Sequence, residues 1–543
     1  MQVMHKYSDL NQSTKTPPGF LRRLAILPVA LLAAFGCGTS PEEATPRVHP
    51  HAGTTVTVAI LGDSSAAATV AAVKGDWTER TGAEVKIESK PIDPADKSIG
   101  ADLILFPGDR FADLVAAGRL SEIPDSFVRP AAKSKPASAE RERRETADSP
   151  PASSDSSSSD PLAFAQIPIG IREQVLKFGG VRRAMPYGGS ALVLAYRREA
   201  FSDPALKAEA KKAGVLLAPP ATWDRLDTLA KFLNGRDWDH DGTPNQGIAL
   251  PLGDDPEGVG LAALLARAAS LGLHRDQFCF LFNPTTLEPW IDKPPFVEAL
   301  AKISALRAAG PEGIADFNAD AARSAFRSGN TAMLIDRAEF ASRWTDHKKP
   351  AQVGVAPLPG SDRVYDPDRK LWETIDELNV PALLPHGGGL LIGVSAEITG
   401  KQREAAFDLL AYLVSPDIAD RIALDRAYPI IALRRDSIAR GLPDPREAVG
   451  VDSRSWSKAV DATLNATVVT VDPRLPDSRD YLADLDAARI KAAHGEPAEK
   501  VLTAAAKAWA DRTIKLKAQN PLAIYRSGLN TVVNPTESRR NRP

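Results

Sequence analysis

The first third of the chain alternates unbroken apolar runs with amphipathic stretches. Val56–Leu61 (VTVAIL) reads as a buried strand. Ala66–Thr81 carries Val70, Val73 and Trp77 at helical spacing. Glu84–Glu88 alternates in the manner of a strand, and Ala101–Phe106 (ADLILF) is a second buried strand. Pro107-Gly108-Asp109 then turns the chain into a helix bearing Leu114 and Val115. Strand, helix, strand, strand, helix predicts a parallel α/β sheet. The pattern resumes near Met185 with strands at 191–196, 247–252, 331–335, 353–356 and 390–394. Helices are predicted at 223–233, 261–271, 296–308 and 403–414, Ala321–Phe326 leads into the strand at 331–335, and Tyr481–Leu516 reads as helical. Trp77 and Trp223 fall on apolar helix faces and are read as core residues.

Two stretches break the pattern. From about Pro130 to Asp160 almost no apolar residue occurs, so ordering the backbone would bring too little burial in return. This stretch is read as a disordered insert, with Ser156–Ser159 as a solvated spacer or a partner contact. At the other break, Arg22 and Arg23 precede the apolar run Leu24–Phe35 and then Gly36-Cys37-Gly38, the layout of an export signal. The run is short for a membrane span and contains Pro28.

Composition narrows the classes. A chain of 543 residues implies about two domains. A net charge of −2 argues against a general nucleic-acid binder. Two cysteines, Cys37 and Cys279, exclude a disulfide scaffold or a thiolate metal cluster. The chain contains no H-E-x-x-H, G-x-S-x-G or P-loop motif. Gly258-Val259-Gly260 stands apart from its preceding strand, so it reads as a turn into a helix rather than a dinucleotide fingerprint. Asp237, Asp239 and Asp241 before Gly242 have the alternating spacing of a calcium loop, but Ile248 stands at its twelfth position. A structural calcium ion is the only cofactor this sequence raises, against the plainer reading of an Asx-rich turn.

The order of these pieces resembles the family 1 bacterial extracellular solute-binding proteins of ABC importers, whose layout is that of the maltose-binding group. The likeness runs from Thr55 to Ala510 outside the insert. It rests on Thr81-Gly82-Ala83-Glu84-Val85, on Asp102–Pro124, on Met185-Pro186-Tyr187, and on Pro219-Pro220-Ala221-Thr222-Trp223. Phe326–Met333 (FRSGNTAM), Val353–Gly360 and Gly387–Val394 complete it. Cys37 is similarly placed to the cysteine of a lipobox, with Ala34 where leucine is usual.

The resemblance implies a two-lobed α/β fold of the type II periplasmic-binding class, each lobe a mainly parallel sheet flanked by helices and joined by a hinge. The expected organisation is a signal peptide over 1–36, a tether over 37–54, and first-lobe segments at 55–185 and 338–414. Second-lobe segments are expected at 186–337 and 415–520, with a flexible tail over 521–543. It further implies an exported, lipid-anchored monomer facing the periplasm or cell exterior, anchored through Cys37. Such a receptor takes a small solute, most often a carbohydrate, by lobe closure and delivers it to ABC importer membrane subunits. It does no chemistry and binds no nucleic acid. By the match to a D-R-F sugar contact, Asp109 and Arg110 are ligand residues, with Asp63 and Ser64 in the first loop. Phe106, Tyr187, Trp372 and Tyr481 are expected aromatic contacts, with Trp372 on an additional segment, Asp362–Pro385, that could act as a lid. Asp255, Glu257, Asp336 and Arg337 are expected on the second-lobe side, and Glu339, on the 338–414 segment, falls near another stacking position of the maltose-binding group. Ser64 stands where the maltose group has lysine, so maltodextrin itself is not the expected ligand. Two other readings use the same residues. One is a surface sensor or scaffold that binds a protein partner through the insert. The other is a carbohydrate-active enzyme, which needs two facing carboxylates.

Overall fold

The computed structural model describes residues 49–530 apart from 63–65, 90–97, 129–159, 274–278, 344–351, 385–387, 425–429, 442–449, 467 and 472. The expected signal peptide, Cys37, most of the tether, the serine-rich insert, Asp63 and Ser64 lie outside the described residues.

Two sheets organise the rest. The first runs in the order Glu84–Ser89, Thr55–Ile60, Leu103–Pro107, Leu390–Val394, Met185–Gly188. Its first three strands are parallel; Leu390–Val394 is antiparallel to both of its neighbours. The second sheet runs Val353–Pro357, Leu192–Arg197, Thr331–Arg337, Gln246–Ala249. Only its last pair is parallel. The sheets are therefore more mixed than the first βαββα run implied, because late strands return to pair beside early ones.

Local signals account for most elements. Ala66–Thr81 buries Val70, Val73 and Trp77, and the Trp77 indole N–H donates to Asp408 at 2.9 Å. The Thr222 hydroxyl accepts from the Arg225 N–H and opens helix Trp223–Leu233. Helix Val259–Gly272 starts from Gly258, whose φ of +69° favours glycine. A Cβ on Gly260 would sit 2.3 Å from the Pro251 carbonyl oxygen. The glycine pair thus serves packing, as the turn reading held.

The strands of the second sheet are buried on both faces. Along Leu192–Arg197, Leu192 and Leu194 enter one core while Val193 and Ala195 enter the other. Period-two alternation divides these residues between two cores, so the strand shows no polar face in sequence.

Several expected boundaries are corrected. Val353–Pro357 pairs antiparallel with Leu192–Arg197 and so belongs to the second sheet, not to a first-lobe segment. Met185–Gly188, placed mostly in the second lobe, is the edge of the first sheet. Helix Pro416–Ala423 buries Ile418 and Ile422 in the first core rather than in a second-lobe segment. Pro521–Gly528, expected to be a flexible tail, is a helix that buries Tyr525. The runs at Val353–Pro357 and Met185–Gly188 were visible without their partners, whereas the helices Pro416–Ala423 and Pro521–Gly528 were not read from the sequence. The chain crosses between the sheets from Met185–Gly188 to Leu192–Arg197 and returns from Val353–Pro357 to Leu390–Val394, and Ala382–Leu383 pairs in parallel with Val469–Thr470. Asp362–Pro385 is largely a hairpin, Ser361–Asp366 with Leu371–Asn379. No helix among the described residues is long and apolar enough to cross a membrane.

Candidate functional site

Ligands of open α/β sheets lie beyond the carboxyl ends of the strands. In the second sheet those ends are the loop after Gln246–Ala249 and the residues closing Thr331–Arg337. A charged network joins them. Arg323, on helix Ala319–Arg327, donates to both oxygens of Asp336 at 2.6 and 2.8 Å and to both oxygens of Glu257 at 2.7 and 2.8 Å. Arg337 also binds Glu257, and its Nε lies 3.5 Å from Glu339. Glu339 accepts from the Ser190 hydroxyl at 2.9 Å, so the network reaches the crossover at 188–192. Glu257 and Arg337 keep 28% and 19% of their side chains exposed, which leaves this end open to solvent.

Titration follows the geometry. Burial alone would raise Glu257, but the Arg323 hydrogen bonds and the Arg337 charge overcome it and hold the carboxyl at about 2. Burial pushes the carboxyls of Asp336 and Glu339 up, opposed by Arg323 and Arg337 respectively. Arg323 itself is raised by its two carboxylate partners against the effect of burial. Asp336, Arg337, Glu339 and Glu257 were expected at the site, and the structure brings them together. Arg323 and Ser190, which connect them, were missed. The one available signal was an arginine on the buried face of a short helix, at i+3 from Asp320.

Asp255 has a different role from the one expected. Its carboxylate accepts from the N–H groups of Val259 (2.7 Å), Gly260 (3.1 Å), Glu257 (3.3 Å) and Ala319 (3.2 Å). It caps the helix and ties two loops together, so it is committed to the fold.

The first-lobe end is the turn Gly108–Arg110, directly after strand Leu103–Pro107. Asp109 is buried, and its carboxylate accepts from Nε and Nη2 of Arg479, each at 3.2 Å. Arg479 begins helix Ser478–Ala493, whose Leu482 and Leu485 lie in the second core. Arg110 pairs locally with Asp113 at 3.2 Å. Sequence reasoning missed Arg479, for it lies 370 residues from its partner.

Three expected aromatic contacts are corrected. Phe106 is fully buried against Phe111 at 5.7 Å. Tyr187 is buried with its hydroxyl 2.7 Å from that of Thr69. Tyr481 is fully buried among Phe282 and Trp509, its hydroxyl 2.9 Å from Thr513. None offers a ring face to a solute; their strand and helix positions turn them inward. Trp372 is half-buried on the hairpin, beneath the Arg363 guanidinium at 4.4 Å and beside Tyr365 at 5.4 Å. The Arg363 pair with Glu298 fastens that hairpin to the second lobe.

Asp237, Asp239 and Asp241 converge, with one oxygen of each within 4.8 Å of the others. Asp237 accepts from the N–H groups of Asp241 and Gly242 at 3.1 and 3.0 Å, and Asp241 from that of Thr243 at 2.8 Å. Elsewhere, a groove of about 790 Å³ runs beside the crossovers, lined by Leu192, Pro357, Val364, Ile375, Leu383 and Val468 among others. None of the expected ligand residues lines it.

The family model described as bacterial extracellular solute-binding protein matches residues 79–438. No curated protein matches the sequence. Among solved structures, the chain is similar to an ABC transporter solute-binding protein of Agrobacterium radiobacter K84 in complex with ribitol. That match has 20% identity and a TM-score of 0.56, covering 84% of this chain and 98% of that one. A solute-binding protein of Agrobacterium vitis S4 with bound D-mannitol matches at 18% identity and a TM-score of 0.53, over 85% and 99%. The sugar-binding protein MalE of Xanthomonas citri matches at 14% identity and a TM-score of 0.56, over 86% and 99%.

Proposed function

The chain belongs to the bacterial extracellular solute-binding protein family, and from that premise we propose that it is the receptor of an ABC importer for a small polyhydroxylated solute. A sugar or polyol would enter between the lobes and be enclosed by hinge closure. The observation that carries this reading is the network of Glu257, Arg323, Asp336, Arg337 and Glu339 at the strand ends. Carboxylates and guanidinium groups fixed by one another form a rigid set of acceptors and donors, which suits vicinal hydroxyls. The ribitol and D-mannitol bound by two similar proteins support the choice of solute class. Each of the three carboxylates is engaged by a guanidinium group, which suits recognition better than proton transfer.

Thermal-shift titration with ribitol, D-mannitol, maltose and a panel of amino acids tests it. A rise in Tm with one hydroxylated class, lost in Arg337→Ala, is the expected result. No shift with any sugar or polyol overturns the proposal. The anchor is proposed at Cys37: Cys37→Ser should move the protein from the membrane fraction to the soluble one. A calcium ion is proposed as a structural element at Asp237–Asp241, to be checked by melting in calcium against chelator.

A further inference from the structure

The structure places an arginine of the second lobe on the acid that the first lobe would offer to solute. Asp109 sits in the turn after strand Leu103–Pro107, at the end of that strand where ligands bind. Both of its carboxylate oxygens accept from Arg479, and its carbonyl oxygen accepts from the Ser478 hydroxyl. One residue earlier, the Asp477 N–H donates to Asp113 at 2.9 Å. Three successive residues of one lobe thus hold a turn of the other and the short helix that follows it. Arg479 also reaches the first loop: its Nη2 lies 3.8 Å from where a Cβ on Gly62 would be.

We propose that Arg479 is a specificity-determining residue, an internal stand-in for solute that holds the lobes together through Asp109. Two parallel N–H donors from Arg479 fill a carboxylate that could otherwise accept two hydroxyl groups. A solute reaching Asp109 must replace both donors, so hydroxyl pairs and cations are admitted and carboxylates are refused. A ligand shifts the closed population only by its preference for that state. A lock made of protein groups supplies closure before any solute does. This rests on the receptor reading only in naming Asp109 as a solute contact.

The test uses the full chain without added solute. Small-angle scattering should give the compact radius of gyration for the wild type and a larger one for Arg479→Ala and Asp109→Asn. Ethylguanidine should restore the compact value and raise the Tm of Arg479→Ala, and should leave Asp109→Asn unchanged. A folded Arg479→Ala that scatters as the wild type does, or that ethylguanidine leaves unaltered, overturns the lock. Arg479→Lys, which keeps the charge without the fork, should lie between. In a second arm, D-mannitol should bind Arg479→Ala more tightly, by up to about fivefold, the equivalent of about 1 kcal/mol. Weaker binding than to the wild type overturns the displacement. Binding to neither protein overturns the polyol reading, and the scattering arm still decides the lock.

Discussion

The two lobes present charge at their strand ends in different ways. In the second lobe, Arg323 locks Asp336 and Glu257 within one domain, and Asp255 locks the neighbouring loops. In the first lobe, the guanidinium partner of Asp109 among the described residues belongs to the other lobe, on Arg479. One side is preorganised by its own fold, and the other is completed by the position of the lobes. A receptor that closes needs a difference of this kind, since a rigid face costs little reorganisation and a conditional one can report closure.

The largest effect expected from breaking this contrast is in the second lobe. Arg323→Ala leaves Asp336, 1% exposed, without its partner and should cost about 3–5 kcal/mol in urea unfolding. A loss under 1 kcal/mol would mean that the network is not what fixes this face. Acid should reveal the same network. The carboxyl of Glu257 is lowered from an ordinary value of 4.5 to about 2, so its contribution is present above pH 4.5 and lost as pH falls toward 2. On the order of 2 kcal/mol is expected, allowing for its partial exposure. Asp336 and Glu339 are raised, so their contributions have the opposite sign and fade as pH rises through those raised values. The stability gap between wild type and Glu257→Gln should therefore narrow below pH 4. Smaller still, Asp255→Ala should cost about 1–2 kcal/mol through the lost cap, measured by thermal unfolding. Last, Asp109→Asn should cost less than about 1 kcal/mol, since Arg479 keeps 40% of its side chain exposed. A large loss there would show that the first lobe depends on the second for its folding, and the contrast would fail.

Much of the fold was legible. The helix boundaries Ala66–Thr81 and Trp223–Leu233 follow from periodicity and punctuation, and strand Leu390–Val394 from an apolar run after three glycines. The site was partly legible. Asp336 and Arg337 end a strand, Glu339 lies in the turn just after it, and Glu257 lies on a strand-exit loop, so their place at the sheet's carboxyl end could be read. The aromatic platforms could not. Phe106, Tyr187 and Tyr481 lie at plausible positions in the chain, but the direction of a side chain depends on which face of a sheet or helix is covered. Phe106 is covered by Phe111 of the following helix and Tyr187 by Thr69 of helix Ala66–Thr81; for Tyr481 the cover is helix Ala498–Lys515, through Trp509.

By itself the sequence determined the elements and their order. Helical spacing, apolar runs and turn residues act over a few neighbours, and the chain carries that information locally. Tertiary structure decided which strands pair, which lobe receives Val353–Pro357 and Pro416–Ala423, and which charges meet. Arg323 spans 66 residues to Glu257, and Arg479 spans 370 to Asp109. Pairing at such separations depends on the packing of two cores, and no local pattern in the chain encodes it.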